Sequence, residues 1–276
     1  WLRGGRCWLR AMLSQWSGEE RLHANVLTPV LISGKQGLSK STFCRLLMPD
    51  SLRHYFIDNL NLTAGSSPEK KLVKNGLINL DEFDKIKESQ QATLKNLLQM
   101  VNVPVFRGKR LGWVNESRLA SFIATTNVYQ VLIDSTGSRR FLCVEVLKPI
   151  SEEPLKHKQI YAQLKEELKS GAPDYLNKEE EKALQKHNKA YYRQSLLEDV
   201  FHCCFRHPLE AEKGIWLTTA EIFQVMRKFN SAALKEVSAR QLGLKLSAMG
   251  YMAKHTSFGN RYYVFNLSAE KKEVSL

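Results

Sequence analysis

From Val26 onward, short continuous apolar runs alternate with segments of helical period: "VLTPVLIS", "KSTFCRLL", "GLINLDEF", "SQQATLKNLLQMV", "RLASFIATTN" and "RRFLCVEV". Runs that are apolar at every position read as strands buried on both faces. Their alternation with helices predicts an α/β fold with a mostly parallel central sheet and flanking helices on both sides. Ahead of them, Trp8, Leu9, Met12, Leu13 and Trp16 recur at helix spacing, which predicts an amphipathic N-terminal helix packed on the downstream segments.

The pattern breaks at "LKPISEEPLKHKQ", where Pro149 and Pro154 bracket a polar stretch that neither a strand nor a helix continues through. Charged helical segments come next, and their charges read as a solvated face. The last stretch has a third rhythm. "WLTTAEIFQVMRKF" reads as a helix capped by Thr218 or Thr219, and "SARQLGLKLSAMG" as one capped by Ser238 and ended by Gly250. Two strands then flank a turn at Ser257-Phe258-Gly259-Asn260. Helix, helix, hairpin is the order of a winged helix-turn-helix. The expected division is an N-terminal helix over 1–24, an α/β domain over 25–150, a helical linker over 151–195, a winged-helix-like domain over 196–268 and a tail over 269–276.

Composition narrows the class. A 276-residue chain with 43% hydrophobic residues is ordinary for a globular protein, so disorder is not the expectation. A formal net charge of +13 points to a polyanionic partner, nucleic acid first and an acidic membrane surface second. The five cysteines are odd in number and form no C-x-x-C pair, which argues against a zinc site or a disulfide framework and for a reducing, cytoplasmic compartment. No apolar run approaches membrane-spanning length. The start, "WLRGGRCWLRAMLSQW", lacks an initiating Met and a signal-type core, so an upstream domain is expected to precede it.

The candidate chemistry lies in "GKQGLSKST", residues 34–42. Gly34, Lys40 and Ser41 match G-x-x-x-x-G-K-[ST] except that Ser39 replaces the second glycine. In such a loop the backbone N–H groups of Gly34, Lys35, Gln36, Gly37, Leu38 and Ser39 curl toward phosphate oxygens, ahead of Lys40, Ser41 and Thr42 at the helix start. Lys40 would reach the β- and γ-phosphates of ATP, and the Ser41 hydroxyl would ligate Mg²⁺. Ser39 is expected to be tolerated on the ground that a residue at a helix start needs no positive φ. The next apolar run ends in Asp81-Glu82, suited to the metal shell and to activating water respectively. A third ends in Thr125-Thr126-Asn127, whose amide would position the water or sense the γ-phosphate. Arg139 and Arg140 come after a flexible "DSTG" turn, where a guanidinium would stabilise the transferring phosphoryl in cis or across a subunit boundary. Read singly, each is equally an acidic turn, a strand-end cap or a surface arginine.

Taken in order, "GKQGLSKST", "INLDEFDK", "FIATTN" and "TGSRRF" resemble the virulence-associated E family of P-loop proteins, relatives of the superfamily 3 helicases and poxvirus-type primase-helicases of the AAA+ class. The likeness covers roughly Val26 to Val146. It implies Walker A at Lys40 and Ser41, Walker B at Asp81 and Glu82, sensor 1 at Asn127 and an arginine finger at Arg139 or Arg140. The chain departs from that family at Ser39, where glycine is usual, and in its generic Asp-Glu pair. The resemblance also implies a pore hairpin within "VPVFRGKRLGWVNESRL", where Arg107, Lys109 and Arg110 cluster beside Phe106 and Trp113. In the last segment Arg240, Lys245, Lys254, His255 and Arg261 fall on the expected recognition helix and wing, with Glu236 opposing them.

The resulting expectation is a DNA-dependent ATPase or helicase-like motor. It would use ATP and Mg²⁺, favour single-stranded DNA and act as a hexameric ring without a membrane partner. The resemblance further implies replication or transfer of a mobile or phage-like element and an upstream primase-type domain. A nucleotide-switched DNA-binding regulator with little turnover is the alternative. A small-molecule kinase would need an acceptor lid, and no segment supplies one.

Overall fold

The computed structural model describes residues 1–18, 23–63, 67–133, 135–193, 196–210, 212–234, 237–257 and 259–267. The chain divides into two compact units, Trp1–Tyr192 and Arg193–Leu276.

The first unit opens with helix α1 (Leu2–Trp16) and strand β1 (Thr28–Ile32), followed by α2 (Lys40–Leu46), β2 (Phe56–Asp58), α3 (Glu69–Lys74) and β3 (Leu77–Leu80). Helix α4 (Glu88–Gln99), the hairpin strands β4 (Asn102–Phe106) and β5 (Trp113–Ser117), β6 (Ser121–Thr126) and β7 (Phe141–Glu145) come next. Helices α5 (His157–Lys169) and α6 (Lys178–Asn188) close the unit. Among the described residues the central sheet has the order β2-β3-β6-β1-β7, and every pairing in it is parallel.

Alternation along the strands covers both faces of this sheet. Val30, Ile32, Ile78, Leu80, Phe122 and Ala124 enter one core with Leu94, Leu97 and Leu98 of α4. The intervening Leu31, Leu77 and Ile123 enter the other with Trp8 and Met12 of α1 and Leu184 of α6. Both sets are apolar, so the strands read as unbroken hydrophobic runs. Leu155, Tyr161 and Leu176, from the stretch expected as a linker, pack against that second core, as does Ile150 just before it. Among the described residues no helix is long and apolar enough to cross a membrane.

The second unit contains α7 (Leu196–Cys204), β8 (Phe205–Arg206), β9 (Ile215–Thr218), α8 (Thr219–Phe229), α9 (Ala239–Ala248), β10 (Ala253–Thr256) and β11 (Gly259–Asn266). Strand β11 pairs antiparallel with β8, β9 and β10 over a core that includes Phe201, Ile222, Met226, Leu242, Leu246 and Tyr262. Thr218 and Ser238 cap α8 and α9 in reciprocal capping boxes with Glu221 and Gln241. Phe258, at the expected turn, lies outside the described residues, as does Glu236.

Candidate functional site

Strand β1 runs into a loop from Ser33 to Ser39 and out into α2. Gly37 stands at φ 76°, in the left-handed region that glycine enters without steric cost. A Cβ on Gly34 would sit 2.9 Å from the Tyr129 ring, so any side chain there would force that ring to shift. Ser39 corrects the sequence expectation. Its φ is 59°, left-handed, at a cost of about 1 kcal/mol for a residue with a Cβ. The chain needs that conformation because Ser39 turns the loop into α2 while its carbonyl accepts the Phe43 N–H at 2.9 Å. The segment after β7 holds the residue in place. The Ser39 hydroxyl donates to Glu152 Oε1 at 2.6 Å, and the Ile150 N–H donates to the Leu38 carbonyl at 3.2 Å.

Lys40 is only 8% exposed. Its Nζ donates to Ser33 Oγ at 2.5 Å and Asn127 Oδ1 at 2.8 Å, both neutral oxygens. Burial lowers its pKa, and the nearby Asp81 charge works against that shift. No ion pair neutralises Lys40 among the described residues. A buried cation without a contacting anion is costly unless one is supplied from outside.

The sheet order explains how the remaining groups converge. Strand β6 lies between β3 and β1, so the ends of all three strands open onto one pocket of about 330 Å³. Its lining includes residues 36–42 of the loop and helix start, together with Asp81, Glu82, Asp84, Thr125, Thr126 and Asn127. Asp81 Oδ1 accepts from the Ser41 hydroxyl at 3.1 Å and from the Thr125 hydroxyl. Asp84 Oδ1 accepts from Thr126 Oγ1 at 2.6 Å. Glu82 is itself left-handed, at φ 52°, and its 60%-exposed side chain pairs with Lys85 at 2.6 Å.

The structure thus brings Lys40, Ser41, Asp81, Glu82 and Asn127 together, and leaves Arg139 and Arg140 out of the lining. These arginines end the 3₁₀ turn Ser135–Arg140. Arg139 pairs with Glu181 of α6 at 3.2 Å, while Asn188 Nδ2 grips the backbone on either side, at the carbonyls of Ser138 (2.8 Å) and Phe141 (2.7 Å). Sequence reasoning missed Ser33, Asp84, Thr125, Thr126 and Glu152. The polar runs "DEFD" and "TTN" held a signal for the middle three, because consecutive polar residues at the ends of buried strands must find partners.

The basic surfaces are built differently. In the β4–β5 hairpin, Arg107 Nη2 donates to Glu116 Oε2 at 2.5 Å, and this pairing holds the Glu116 carboxyl below its ordinary range. Lys109 and Arg110 occupy the exposed tip without an ion pair among the described residues. Phe106 and Trp113 pair with ring centroids 5.6 Å apart, and Trp113 is 73% exposed. In the second unit Arg240 is exposed on α9 and Lys254 on β10. Lys245 turns to Glu198 at 2.6 Å, His255 meets Asn260 at 2.9 Å, and Arg261 Nε is buried with no hydrogen bond among the described residues.

Residues 24–193 match the family described as the virulence-associated protein E-like domain. Residues 194–264 match a domain of unknown function described from a B. Theta gene, DUF3874. No curated protein matches the chain. Among solved structures, an apo structure of the NrS-1 C terminal region (305-718) aligns at TM-score 0.42 and 14% identity, covering 95% of this chain and 70% of that one. An A form apo structure of the same region aligns at TM-score 0.42 and 17% identity, covering 91% and 58%.

Proposed function

Because the chain belongs to the virulence-associated protein E-like family, we propose that its first unit is a P-loop ATPase of the superfamily 3 helicase kind, driven by ATP and stimulated by single-stranded DNA. One observation carries this reading: the buried Lys40 ammonium, which has no ion-pair partner among the described residues, faces a pocket walled by loop backbone and by carboxylates. A triphosphate is the anion that such a loop and lysine accept.

The Ser41 hydroxyl and Asp81 carboxylate, 3.1 Å apart, offer hard oxygen donors. Among the described residues no group of three or more His, Cys, Asp or Glu is placed to hold a metal. That sparse oxygen set fits Mg²⁺, which keeps several waters and shares its shell with phosphates. When bound there, Mg²⁺ would neutralise charge on the β- and γ-phosphates. Lys40 binds the same oxygens. Glu82 leaves Lys85, orients a water and takes its proton as the oxygen attacks the γ-phosphorus, and the diphosphate departs with the bridging electrons. Asn127 keeps Lys40 aimed, and Arg139 or Arg140 of a neighbouring copy in a hexameric ring meets the transferring phosphoryl.

The exposed hairpin with Lys109, Arg110, Phe106 and Trp113 supplies cations for phosphates and rings for bases. In the second unit, the succession α8, α9, β10, β11 with β9 added to the sheet supports a winged-helix reading, with Arg240 and Lys254 toward the duplex. The formal charge of +13 fits these contacts. Replication of a mobile or phage-like element, in the cytoplasm and beside a primase-type domain, is the setting this reading suggests.

The test is the steady-state ATPase rate with and without single-stranded DNA, with Lys40→Ala as the blank. Stimulated hydrolysis absent from the blank supports the motor. One observation favours a second reading, a nucleotide switch: left-handed Ser39 is tied to Glu152, which stiffens the loop. ATP binding without stimulated turnover would select that reading.

A further inference from the structure

We infer that Asp84 is a positioning residue, which acts through Thr126 to fix the turn that aims Asn127 at Lys40. The inference rests on the ATPase reading and extends it to Asp84 and Thr126, residues of the quoted motifs to which the sequence assigned no role.

Thr126 is the last residue of β6, only 2% exposed, and is held on three sides. Its carbonyl accepts the Ser33 N–H at 3.3 Å. Its hydroxyl accepts the Val128 N–H at 3.0 Å and donates to Asp84 Oδ1 at 2.6 Å. Asn127 sits inside the small ring closed by the Val128 contact. A buried hydroxyl that lost Asp84 would have to rotate toward another acceptor, and the Val128 contact would loosen with it.

Asp84 can impose this order because it is itself anchored. It belongs to the one-turn 3₁₀ segment Phe83–Lys85, whose Phe83 is buried against Phe141 with ring centroids 5.2 Å apart. Strand alternation sends Thr125 and Thr126 to opposite faces of the sheet, and each meets a carboxylate of the same "DEFD" turn, Asp81 and Asp84 respectively. The end of β6 is therefore gripped from both faces by the tip of β3. Asn127 then accepts from Lys40 at 2.8 Å from a fixed point and not from a mobile one. A small displacement of a positioned group costs turnover more than it costs binding.

The experiment measures kcat and KM for ATP hydrolysis by the full chain, together with the affinity for a non-hydrolysable ATP analogue. The variants are Thr126→Val, Thr126→Ser, Asp84→Ala, Asp84→Asn and the double Thr126→Val/Asp84→Ala. Expected are a kcat reduced about tenfold in Thr126→Val and in Asp84→Ala, with analogue affinity within about twofold of the parent. The double variant should fall no further than either single, since both break one contact. Thr126→Ser should restore the rate, and Asp84→Asn, whose oxygen still accepts, should lose less than Asp84→Ala. Additive losses in the double variant overturn the inference. So does an Asp84→Asn loss equal to that of Asp84→Ala, because Asp84 would then act by its charge. If Thr126→Val does not fold, the Ser and Asn variants decide the matter alone. A parent chain that neither binds the analogue nor hydrolyses ATP, with Lys40→Ala indistinguishable from it, overturns the ATPase reading itself.

Discussion

In the pocket at the ends of β1, β3 and β6, polar side chains point inward and satisfy one another. In the β4–β5 hairpin the cations point outward. Lys40 is buried between Ser33 and Asn127, whereas Lys109 and Arg110 project from a tip with no partner among the described residues. Both regions carry cations, with Lys40 set among three carboxylates in the pocket, but only the pocket has been shaped before any ligand arrives. A preorganised site puts its free energy into a single geometry, so single changes should be severe. A divergent surface gathers many weak, screened contacts, so single changes should be mild and salt-sensitive.

The most direct challenge to this contrast is Lys40→Ala. Loss of a charge-assisted contact in a buried pocket should weaken ATP affinity roughly 100-fold, read by direct binding. A tenfold smaller loss would mean that the pocket is no more specialised than the hairpin. Glu82→Gln comes next. It should leave affinity near the parent value and reduce kcat by about 10²–10³, because only the proton acceptor is removed. Normal turnover would transfer the role to another carboxylate of the pocket.

The pocket was legible only in part. Strands β1, β3, β6 and β7 could be read because nearly every position in them is apolar, the exceptions being Asn79 within β3 and polar residues at strand ends. Strand β2 could not, because a three-residue edge strand, Phe-Ile-Asp, leaves no period to detect. Lys40, Ser41 and Asp81 were found from motif spacing. Their links to Thr125 and Asn127 depend on β6 lying between β3 and β1, and strand order is a tertiary fact that no local window holds. Ser39 misled for a related reason. A φ of 59° arises from how the loop must turn into α2, while the residue type alone suggested an ordinary helix start. The cap at Ser238 was legible, and that of α8 was narrowed to Thr218 or Thr219, because a capping box is entirely local.

The hairpin yields the next prediction. Lys109→Ala and Arg110→Ala should each lower the slope of log affinity against log salt for single-stranded DNA by about 0.7. Arg107→Ala should change it less, because its guanidinium already holds Glu116. Removing that carboxylate with Glu116→Gln should then raise the slope, as Arg107 becomes free to replace a counterion. Equal effects at Arg107 and Arg110 would show that the Glu116 pair opens on binding, and would draw the hairpin closer in character to the pocket.

The smallest expected effect lies at the rim of the pocket, where Glu152 accepts the Ser39 hydroxyl at 2.6 Å. An exposed carboxylate beside a loop that receives phosphates opposes them, but screening by solvent keeps the penalty low. Glu152→Gln retains an acceptor for Ser39 and removes only the charge. It should tighten ATP about twofold to threefold, and the gain should shrink as salt is raised. Ser39→Gly tests a separate quantity. It removes the steric cost at φ 59° and also the hydroxyl, so the loop becomes both less strained and less tethered. If Glu152→Gln instead weakens ATP binding, the carboxylate is helping to hold the loop in its receptive shape. The pocket's preorganisation would then extend past its lining to the segment after β7.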